Sequence, residues 1–364
     1  MSEQADQHDL GWTKSLETSF QAAASEILDA VAARIVREDR GRYRAVAGGS
    51  SYAAEVTGAF RHAHTASDAY PAVGDWVVAT RVQGEDKLRI HGVLPRLTVF
   101  TRTAAGSTSD VQVVAANVDS VFIVMGLDGD FNPRRVERYV ALAYESGARP
   151  VIILSKCDLV DDLADRIAEI EGVALGVPVY PVSSIEAQGV EALKSYLVTG
   201  QTVACLGSSG AGKSTLINAL LGHEVMATGG IREDDSRGRH TTTHRQLVML
   251  PAGGSLIDTP GMRELQLTGE EGSLGSAFDD VESIAKNCSF RDCGHGNEPG
   301  CAIREAIDRG ELDPGRYRSF EKLQRELAYV QRRQSESFDY EERRRTKSLS
   351  KMYKRVMNEK KRNR

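Results

Sequence analysis

Gly207-Ser208-Ser209-Gly210-Ala211-Gly212-Lys213-Ser214 is the stretch that decides the fold of this chain, because it matches the phosphate-binding pattern G-x-x-x-x-G-K-[ST]. A strand-like run, TVACLGS, leads into it and a helix-like run, STLINALL, follows, which is the context that a P-loop requires. Glycines let the backbone wrap a phosphate with its N–H groups pointing inward, and the helix dipole adds attraction. We expect residues 207–215, Thr215 included, to bind a nucleotide, with Lys213 on the β- and γ-phosphates and Ser214 on Mg²⁺.

Apolar runs alternate with helical patterns on both sides of this loop. The alternation predicts a parallel sheet with helices on its faces. The strand-like runs cover residues 120–127, 150–156, 177–183, 202–208 and 255–261. The helix-like runs cover residues 133–148, 160–171, 187–197 and 213–222.

Two segments after the P-loop predict the rest of a Mg²⁺ and γ-phosphate site. Asp258 and Gly261 belong to a DTPG turn at the end of an apolar strand, where we expect Asp258 to hold Mg²⁺ and the N–H of Gly261 to sense the γ-phosphate. The segment GRHTTT (238–243) lies between the P-loop and this turn and has the composition of a mobile switch loop. Thr242 is the first choice for completing the Mg²⁺ shell, and its neighbours on either side are close rivals.

A third segment indicates which base is bound. Ser155-Lys156-Cys157-Asp158 follows the strand VIIL and is similar to the guanine-reading [NT]-K-x-D element of GTPases. The Asp158 carboxylate can accept from both guanine N1–H and N2–H₂, a donor pair that adenine lacks. Ser183 and Ser184 fit the loop that closes over the edge of the base. Ser155 is shorter than Asn, so we expect a weaker brace between this loop and the P-loop.

The base-reading segments precede the P-loop here, whereas they follow it in ordinary GTPases. This order, with GSSGAGKS, GRHTTT and DTPG, closely resembles the RsgA family of circularly permuted GTPases (the YjeQ/YloQ type). VGDW (73–76), LPR (94–96) and AANVD (115–119) also resemble signatures of that family, and the resemblance covers nearly the whole chain. It implies a GTPase of late small-subunit maturation that binds 16S rRNA and the 30S particle, which stimulates hydrolysis.

The position that often carries a water-orienting Gln, just after the DTPG glycine, is Met262. A thioether cannot orient water, so either intrinsic hydrolysis is slow or another group does this work. His240 in the switch loop is the best candidate catalytic residue, and His244 is a lesser rival.

Four possible metal ligands lie within fourteen residues near the C-terminal end. Cys288, Cys293, His295 and Cys301 form the pattern C-x4-C-x-H-x5-C, which can complete a closed, structural zinc shell. The spacing is not the common C-x2-C type, so free thiols or a disulfide remain the alternative from the residues alone. The family resemblance implies zinc.

The segment before the P-loop domain has a different character. Its runs RYRAVA, YAAEVTGAF, DWVVATRV, KLRIHGVL and TVFTR predict five short strands of an OB-type barrel, although an SH3-like barrel would give a similar pattern. Apolar residues at helical spacing, Phe20 to Val31, predict an N-terminal helix. Five basic residues could face RNA phosphates or be ordinary solvated charges: Arg81, Lys87, Arg89, Arg96 and Arg102.

Composition bounds the class of protein. Charged residues are 27% and hydrophobic residues 41%, which excludes a globally disordered chain. The formal net charge is −5, but residues 343–364 hold eleven Lys or Arg and one acid, so this tail carries +10 and the rest −15, which suggests a polyanionic partner. No apolar run reaches 18 residues, the start lacks a signal-peptide pattern, and five Cys are too few for a disulfide scaffold. We expect a cytoplasmic monomer without membrane association.

The predicted fold class is multidomain α/β: an OB-type barrel, a permuted P-loop GTPase domain and a helical zinc domain. The predicted bounds are a helical extension (1–37), the barrel (38–103), the GTPase domain (112–270), the zinc domain (271–335) and a basic tail (336–364).

Three other functions fit parts of the pattern. A permuted GTPase of large-subunit assembly is disfavoured by the barrel and the Cys/His cluster. A non-enzymatic RNA-binding switch is kept open by Met262. An ATPase is disfavoured by Asp158.

Overall fold

The computed structural model describes residues 7–39, 41–64, 66–103, 111–222, 245–250, 253–258, 274–275, 277–296 and 298–332, and the statements below concern these residues. The strands are β1 (Ala30–Asp39), β2 (Arg42–Ala47), β3 (Ser50–Val56), β4 (Trp76–Arg81), β5 (Lys87–Val93), β6 (Val99–Thr103), β7 (Val111–Ala116), β8 (Ser120–Gly126), β9 (Arg149–Ser155), β10 (Val179–Val182), β11 (Thr202–Leu206), β12 (Arg245–Met249) and β13 (Ser255–Asp258). The helices are α1 (Lys14–Ala24), α2 (Gly58–Ala63), α3 (Pro133–Ser146), α4 (Leu163–Val173), α5 (Val190–Leu193), α6 (Lys213–Leu221), α7 (Asp279–Ala285) and α8 (Ala302–Asp308). Residues 314–332 are also helical.

Strands β1 to β5 close into a barrel. β1 pairs with β2 and β4, β2 with β3, and β4 with β5, all antiparallel, whereas β3 and β5 pair in parallel. Helix α2 lies between β3 and β4. Alternate side chains such as Ala33 and Ile35 point into a buried apolar core with Leu88 and Ile90. The predicted OB-type barrel is present.

The barrel begins earlier in the chain than the predicted residue 38, because its first strand is β1. Residues 30–37 were expected to belong to a helical extension, but α1 ends at Ala24 and β1 begins at Ala30. Val31, Ile35 and Val36 are β-branched and favour a strand once a sheet can pair with them. The run TVFTR does form a strand, β6, but it pairs with β7 in a separate two-stranded sheet.

A buried ion pair explains two of the short sequence signatures. Asp75 of VGDW is fully buried and accepts two hydrogen bonds from the guanidinium of Arg96 of LPR, at 2.9 and 2.8 Å. The N–H of Ala72 donates to the same carboxylate at 2.8 Å. Arg96 fits neither of the two alternatives given for it from the sequence, RNA contact or an ordinary solvated charge, because its guanidinium is paired with this buried carboxylate. Arg81 and Arg89 do remain exposed.

The second half of the chain builds the predicted parallel sheet. Its order is β10-β9-β8-β11-β13, with every neighbouring pair parallel. β12, which the sequence reading missed, adds antiparallel to β13 and also pairs with β1 of the barrel. Barrel and nucleotide sheet thus form one continuous hydrogen-bonded sheet, and an ion pair of 2.9 Å between Arg245 and Glu38 lies at the seam.

Arg34 of β1 fastens the barrel to the start of β11. Its side chain is 1% exposed and donates to Gly74 O at 3.3 Å, Asn117 O at 3.2 Å and Thr202 Oγ1 at 2.9 Å, and also to Leu10 O. Burial lowers the pKa of Arg34 to about 10, against the opposing effect of nearby carboxylates, so the group stays charged at neutral pH. Four oxygen acceptors compensate for its lost hydration.

Helix α3 carries the helical C-terminal part. Arg316, 4% exposed, bonds to both Asp280 carboxylate oxygens, at 2.7 and 2.6 Å, and to Glu137 of α3 at 3.3 Å. Arg138 makes a two-point pair with Glu326 at 2.6 and 2.7 Å. Phe278 and Phe320 belong to the same apolar core as the inner face of α3. The helical part is therefore packed onto the nucleotide domain through a continuous apolar core with ion pairs beside it.

Replacing Arg96 by Ala would leave the Asp75 carboxylate buried without its partner. We expect the free energy of unfolding of the barrel to fall by about 3–5 kcal/mol. Urea unfolding followed by the fluorescence of Trp12 and Trp76, the chain's two tryptophans, reports on this region. The exposed Arg89→Ala is the matched control and should change little. Equal effects of the two substitutions would contradict the role of the pair.

Candidate functional site

Five parallel strands end at one edge of the nucleotide sheet. The register places Gly126 of β8 opposite Ser155 of β9, and Ser155 opposite Val182 of β10. β11 and β13 end at the same edge, at Leu206 and Asp258. Loops that are distant in the sequence therefore meet there, as ligand sites of open α/β sheets do.

The P-loop has the geometry that a phosphate needs. Gly207 (φ +148) lies against the carbonyl oxygen of Val124, where a Cβ would clash. Gly212 (φ +89) is the N-cap of α6, and it has no side chain that could occupy the first N–H groups of the helix. The Lys213 ammonium lies over the loop and donates to Gly207 O at 2.8 Å and Ser208 O at 2.5 Å. The loop therefore combines the N–H groups at the start of α6 with the positive charge of Lys213, which fits an anionic phosphate group.

The segment of residues 155–158, called the base loop below, is braced against the P-loop despite the short side chain of Ser155. The buried Ser155 hydroxyl lies 2.6 Å from Ala211 O of the P-loop and 3.2 Å from Met125 O. Gly212 packs beside it, since a Cβ there would lie 3.5 Å from the Ser155 oxygen. Close packing of the two loops therefore lets the short hydroxyl reach the P-loop directly, and the expected weakness of the brace stays a prediction.

The base-loop turn is followed by the predicted closing loop. Lys156 has left-handed backbone angles (φ 60°, ψ 38°), and residues Cys157–Leu159 form one 3-10 turn that presents Asp158 to solvent. Ser183 is buried and forms an isolated antiparallel β-bridge with Gln188. Its hydroxyl oxygen accepts a hydrogen bond from the N–H of Glu186 at 3.2 Å. Ser184 is half-buried beside it. Parallel pairing of β9 with β10 brings the two loops to the same edge.

Two acidic residues that the sequence reading missed complete this edge. Asp128 and Asp130 follow β8 directly; the first pairs with Lys156 of the base loop, and the second accepts from Ser208 of the P-loop. Asp130 also pairs with Arg135 of α3 at 2.5 Å. Their signal was available, because carboxylates just after a buried strand fall at the same edge as the P-loop.

Several predicted residues lie outside the described part of the chain. His240, Thr242 and Gly261 are among them, and so are their rivals around the switch loop. For Asp258 only the backbone is described, as the last residue of β13. Ser214 and Thr215 lie in the first turn of α6 and are half-buried.

The Cys/His cluster is assembled as a possible metal site. One ligand atom each from Cys288, Cys293, His295 and Cys301 lies within 4.8 Å of all the others. His295 Nδ1 is 3.5 Å from the Cys288 sulfur and 3.6 Å from the Cys301 sulfur. Ligands on a tetrahedral zinc ion with bonds of about 2.0–2.3 Å are roughly 3.3–3.8 Å apart, so three thiols and one imidazole in this arrangement fit such an ion.

Comparison with known proteins gives the family. The family model described as RsgA GTPase matches residues 93–268. The "Small ribosomal subunit biogenesis GTPase RsgA 1" of Oceanobacillus iheyensis is 46% identical over 87% of this chain and 91% of its own length. This chain belongs to the RsgA family. It is a GTP-hydrolysing enzyme, and the non-enzymatic alternative does not hold.

Solved structures agree with the RsgA assignment. The crystal structure of YjeQ from Thermotoga maritima superposes with a TM-score of 0.62, at 26% identity, over 83% of this chain and 98% of that one. A structure titled YloQ, a circularly permuted GTPase, has a TM-score of 0.59 and 22% identity over 85% and 97% of the two chains, which speaks for the fold. A second family model, ABC transporter, matches residues 190–351, a range that contains the P-loop common to both classes of NTPase.

Within the described ranges of the RsgA-family chain, no helix has the length and apolar character needed to cross a membrane.

Ser155→Ala removes the hydroxyl that braces the base loop on the P-loop. A neutral hydrogen bond contributes about 0.5–1.5 kcal/mol, so we expect GDP affinity to fall about two- to tenfold. Titration with a fluorescent GDP analogue measures this. Ser195→Ala is the control, since that hydroxyl bonds to its own helical turn at Ala192 O. Unchanged affinity in Ser155→Ala would show that the brace is not needed.

Proposed function

We propose that this GTPase acts in late maturation of the small (30S) ribosomal subunit, binds 16S rRNA, and is stimulated by the subunit. The observation that carries the proposal is the 46% identity, over 87% of the chain, to a relative named a small ribosomal subunit biogenesis GTPase. The assembled guanine and phosphate loops support it. We assign the protein to the cytoplasm as a monomer.

The nucleotide is held at the edge of the sheet described above. Asp158 reads guanine by accepting from N1–H and N2–H₂, and leaving those donors unpaired would be costly for a competing base. The loop of Ser183 and Ser184 closes over the base edge. The P-loop N–H groups and Lys213 bind the phosphates. The full set of GTP-binding residues is Ser155, Lys156, Cys157, Asp158, Ser183, Ser184, Gly207, Ser208, Ser209, Gly210, Ala211, Gly212, Lys213, Ser214 and Thr215.

Hydrolysis needs charge neutralisation and an oriented water molecule. Ser214, Thr242 and Asp258 would hold Mg²⁺, which neutralises the charge that develops on the phosphates. Lys213 stays close to the β- and γ-phosphates, and the N–H of Gly261 senses the γ-phosphate. His240 accepts a hydrogen bond from the attacking water and orients it, a role that Met262 cannot fill.

The Cys288, Cys293, His295 and Cys301 cluster holds one structural zinc ion. Four protein ligands leave no open position for water, so the ion serves the fold rather than the reaction. The cluster joins the end of α7 to the start of α8, where Cys301 is the N-cap. The ring of Tyr317 contacts His295 edge-on at 6.1 Å between centroids, which ties residues 314–332 to the same point.

Ribosomal RNA is bound by basic surfaces outside the nucleotide site. On the barrel, the exposed Arg81 and Arg89 supply positive charge. The tail, residues 343–364 with a net charge of +10, adds phosphate contacts by counterion release. We take the domain order to be barrel, GTPase domain (112–270), zinc domain (271–335) and tail (336–364), with the barrel starting at β1.

Cys301→Ser removes one ligand of the closed shell. We expect the purified protein to lose its single zinc ion and its melting temperature to fall by roughly 5–10 °C. Atomic emission and a thermal melt measure the two effects. Cys157→Ser, at a buried cysteine outside the cluster, should keep the metal. Absence of zinc from the unmodified protein would refute the assignment.

Co-sedimentation with purified 30S and 50S particles tests the proposed partner. With a non-hydrolysable GTP analogue, the protein should pellet with 30S particles. With GTP itself, 30S particles should stimulate multiple turnover. Preference for 50S particles would favour the large-subunit alternative.

His240→Ala, assayed with saturating 30S particles, isolates the water-orienting role. Stimulated turnover should fall by about 10²–10⁴-fold with GTP affinity unchanged. Retained turnover would remove His240 from the mechanism while leaving the partner assignment intact.

A further inference from the structure

We propose that Asp128 is a positioning residue for guanine recognition: its carboxylate holds Lys156 in place and thereby fixes the turn that carries Asp158. The inference rests on the proposed assignment of Asp158 as the guanine-reading residue. It concerns a loop, residues 127–130, that lies between β8 and α3 and that no nucleotide-binding motif of the sequence includes.

The Asp128 carboxylate is held in one place. It accepts from Lys156 Nζ, and its other oxygen accepts from the N–H of Asp130 at 3.2 Å. It also lies over the backbone of Gly126, where a Cβ would come within 2.7 Å of Oδ1. The N–H of Leu127 donates to Ser155 O at 2.9 Å, so this loop and the base loop are joined by backbone as well as side chain.

Lys156 has a conformational reason to need a tether. It is a non-glycine residue with φ 60° and ψ 38°, a left-handed conformation that costs an L-residue free energy. It stands between Ser155, which is bonded to the P-loop, and the exposed Asp158, one turn later. A side-chain ion pair at Lys156 offsets the backbone cost and limits the alternatives open to the turn.

The pair is partly shielded and charged. The side chains of Lys156 and Asp128 are 26% and 33% exposed. Burial opposes ionisation of Asp128, but the hydrogen bonds from Lys156 and the N–H of Asp130 outweigh it and hold its pKa below the usual range. The attraction is therefore present throughout the neutral pH range.

Asp130 is a natural comparison two residues away. Its carboxylate serves the other side of the site, where it accepts from Ser208 of the P-loop and pairs with Arg135 at 2.5 Å. Loss of the Asp130 charge should therefore weaken the contacts to the phosphates of the nucleotide. Loss of the Asp128 charge should instead weaken the contacts to the guanine base.

Binding of GDP and IDP to the full-length protein separates these roles, because hypoxanthine lacks the N2 amine and uses only one of the two bonds to Asp158. For Asp128→Asn we expect GDP affinity to fall about two- to fivefold, the range for loss of a partly exposed ion pair. IDP affinity should fall less, so the GDP-to-IDP preference narrows. Asp130→Asn should weaken both nucleotides equally and leave the preference unchanged. Glu171→Gln, an exposed charge on α4, should change neither.

A double-mutant cycle with Lys156→Met tests whether Asp128 acts on guanine recognition through Lys156. If Asp128 acts through Lys156, Asp128→Asn has no further effect on the preference in the Lys156→Met background. Additive effects would overturn the inference, and so would an equal loss of GDP and IDP affinity in Asp128→Asn.

The variant Asp158→Asn tests separately whether Asp158 reads guanine, the assignment on which the role of Asp128 rests. If this variant abolishes the GDP-to-IDP preference and Asp128→Asn leaves it intact, only the role of Asp128 is wrong. If Asp158→Asn leaves the preference intact, the guanine-reading assignment itself is wrong. Should Asp128→Asn melt before binding can be measured, Asp128→Glu keeps the charge and must retain the preference for the inference to stand.

Discussion

Parallel pairing is the constraint on which the rest of this structure depends. Because neighbouring strands run in the same direction, all their carboxyl ends must fall at one edge, whatever the order in which the chain visits them. The hydrogen bond from Ser155 to Ala211 joins residues 56 positions apart in the sequence, and it forms because β9 and β11 end at the same edge. Permutation changes the covalent route between the loops and leaves their meeting point intact.

The same sheet fixes the barrel relative to the nucleotide. β12 is hydrogen-bonded to β1 on one side and to β13 on the other, and β13 ends at Asp258. Arg34 adds a buried cation whose acceptors come from both parts of the chain. Moving the two parts against each other would leave this buried guanidinium without some of its acceptors, which is costly.

Much of the fold and of the nucleotide site could be predicted from the sequence, and the predictions that were wrong have physical causes. The P-loop and the Cys/His cluster are local patterns whose spacing carries their geometry, so both could be predicted. β1 was misread because local apolar spacing at residues 20–31 suits a helix, while the competing strand gains its stability from distant partners. The pairing of Arg96 cannot be predicted from a local pattern, because its partner, Asp75, is twenty-one residues away. Asp128 was missed because no motif includes it. The roles of His240 and Thr242 stay predictions.

The docking of the helical end on α3 has a consequence for how the molecule comes apart. Glu137 of α3 is fully desolvated, and Arg316 from the far end of the chain is one of its partners. Peeling the helical end away would leave this carboxylate without that partner and wet the apolar surface around Phe278 and Phe320. Nucleotide domain and helical end should therefore melt in a single cooperative transition. Disruption of the Cys/His cluster would then lower the protection of backbone amides against hydrogen exchange in the nucleotide domain as well.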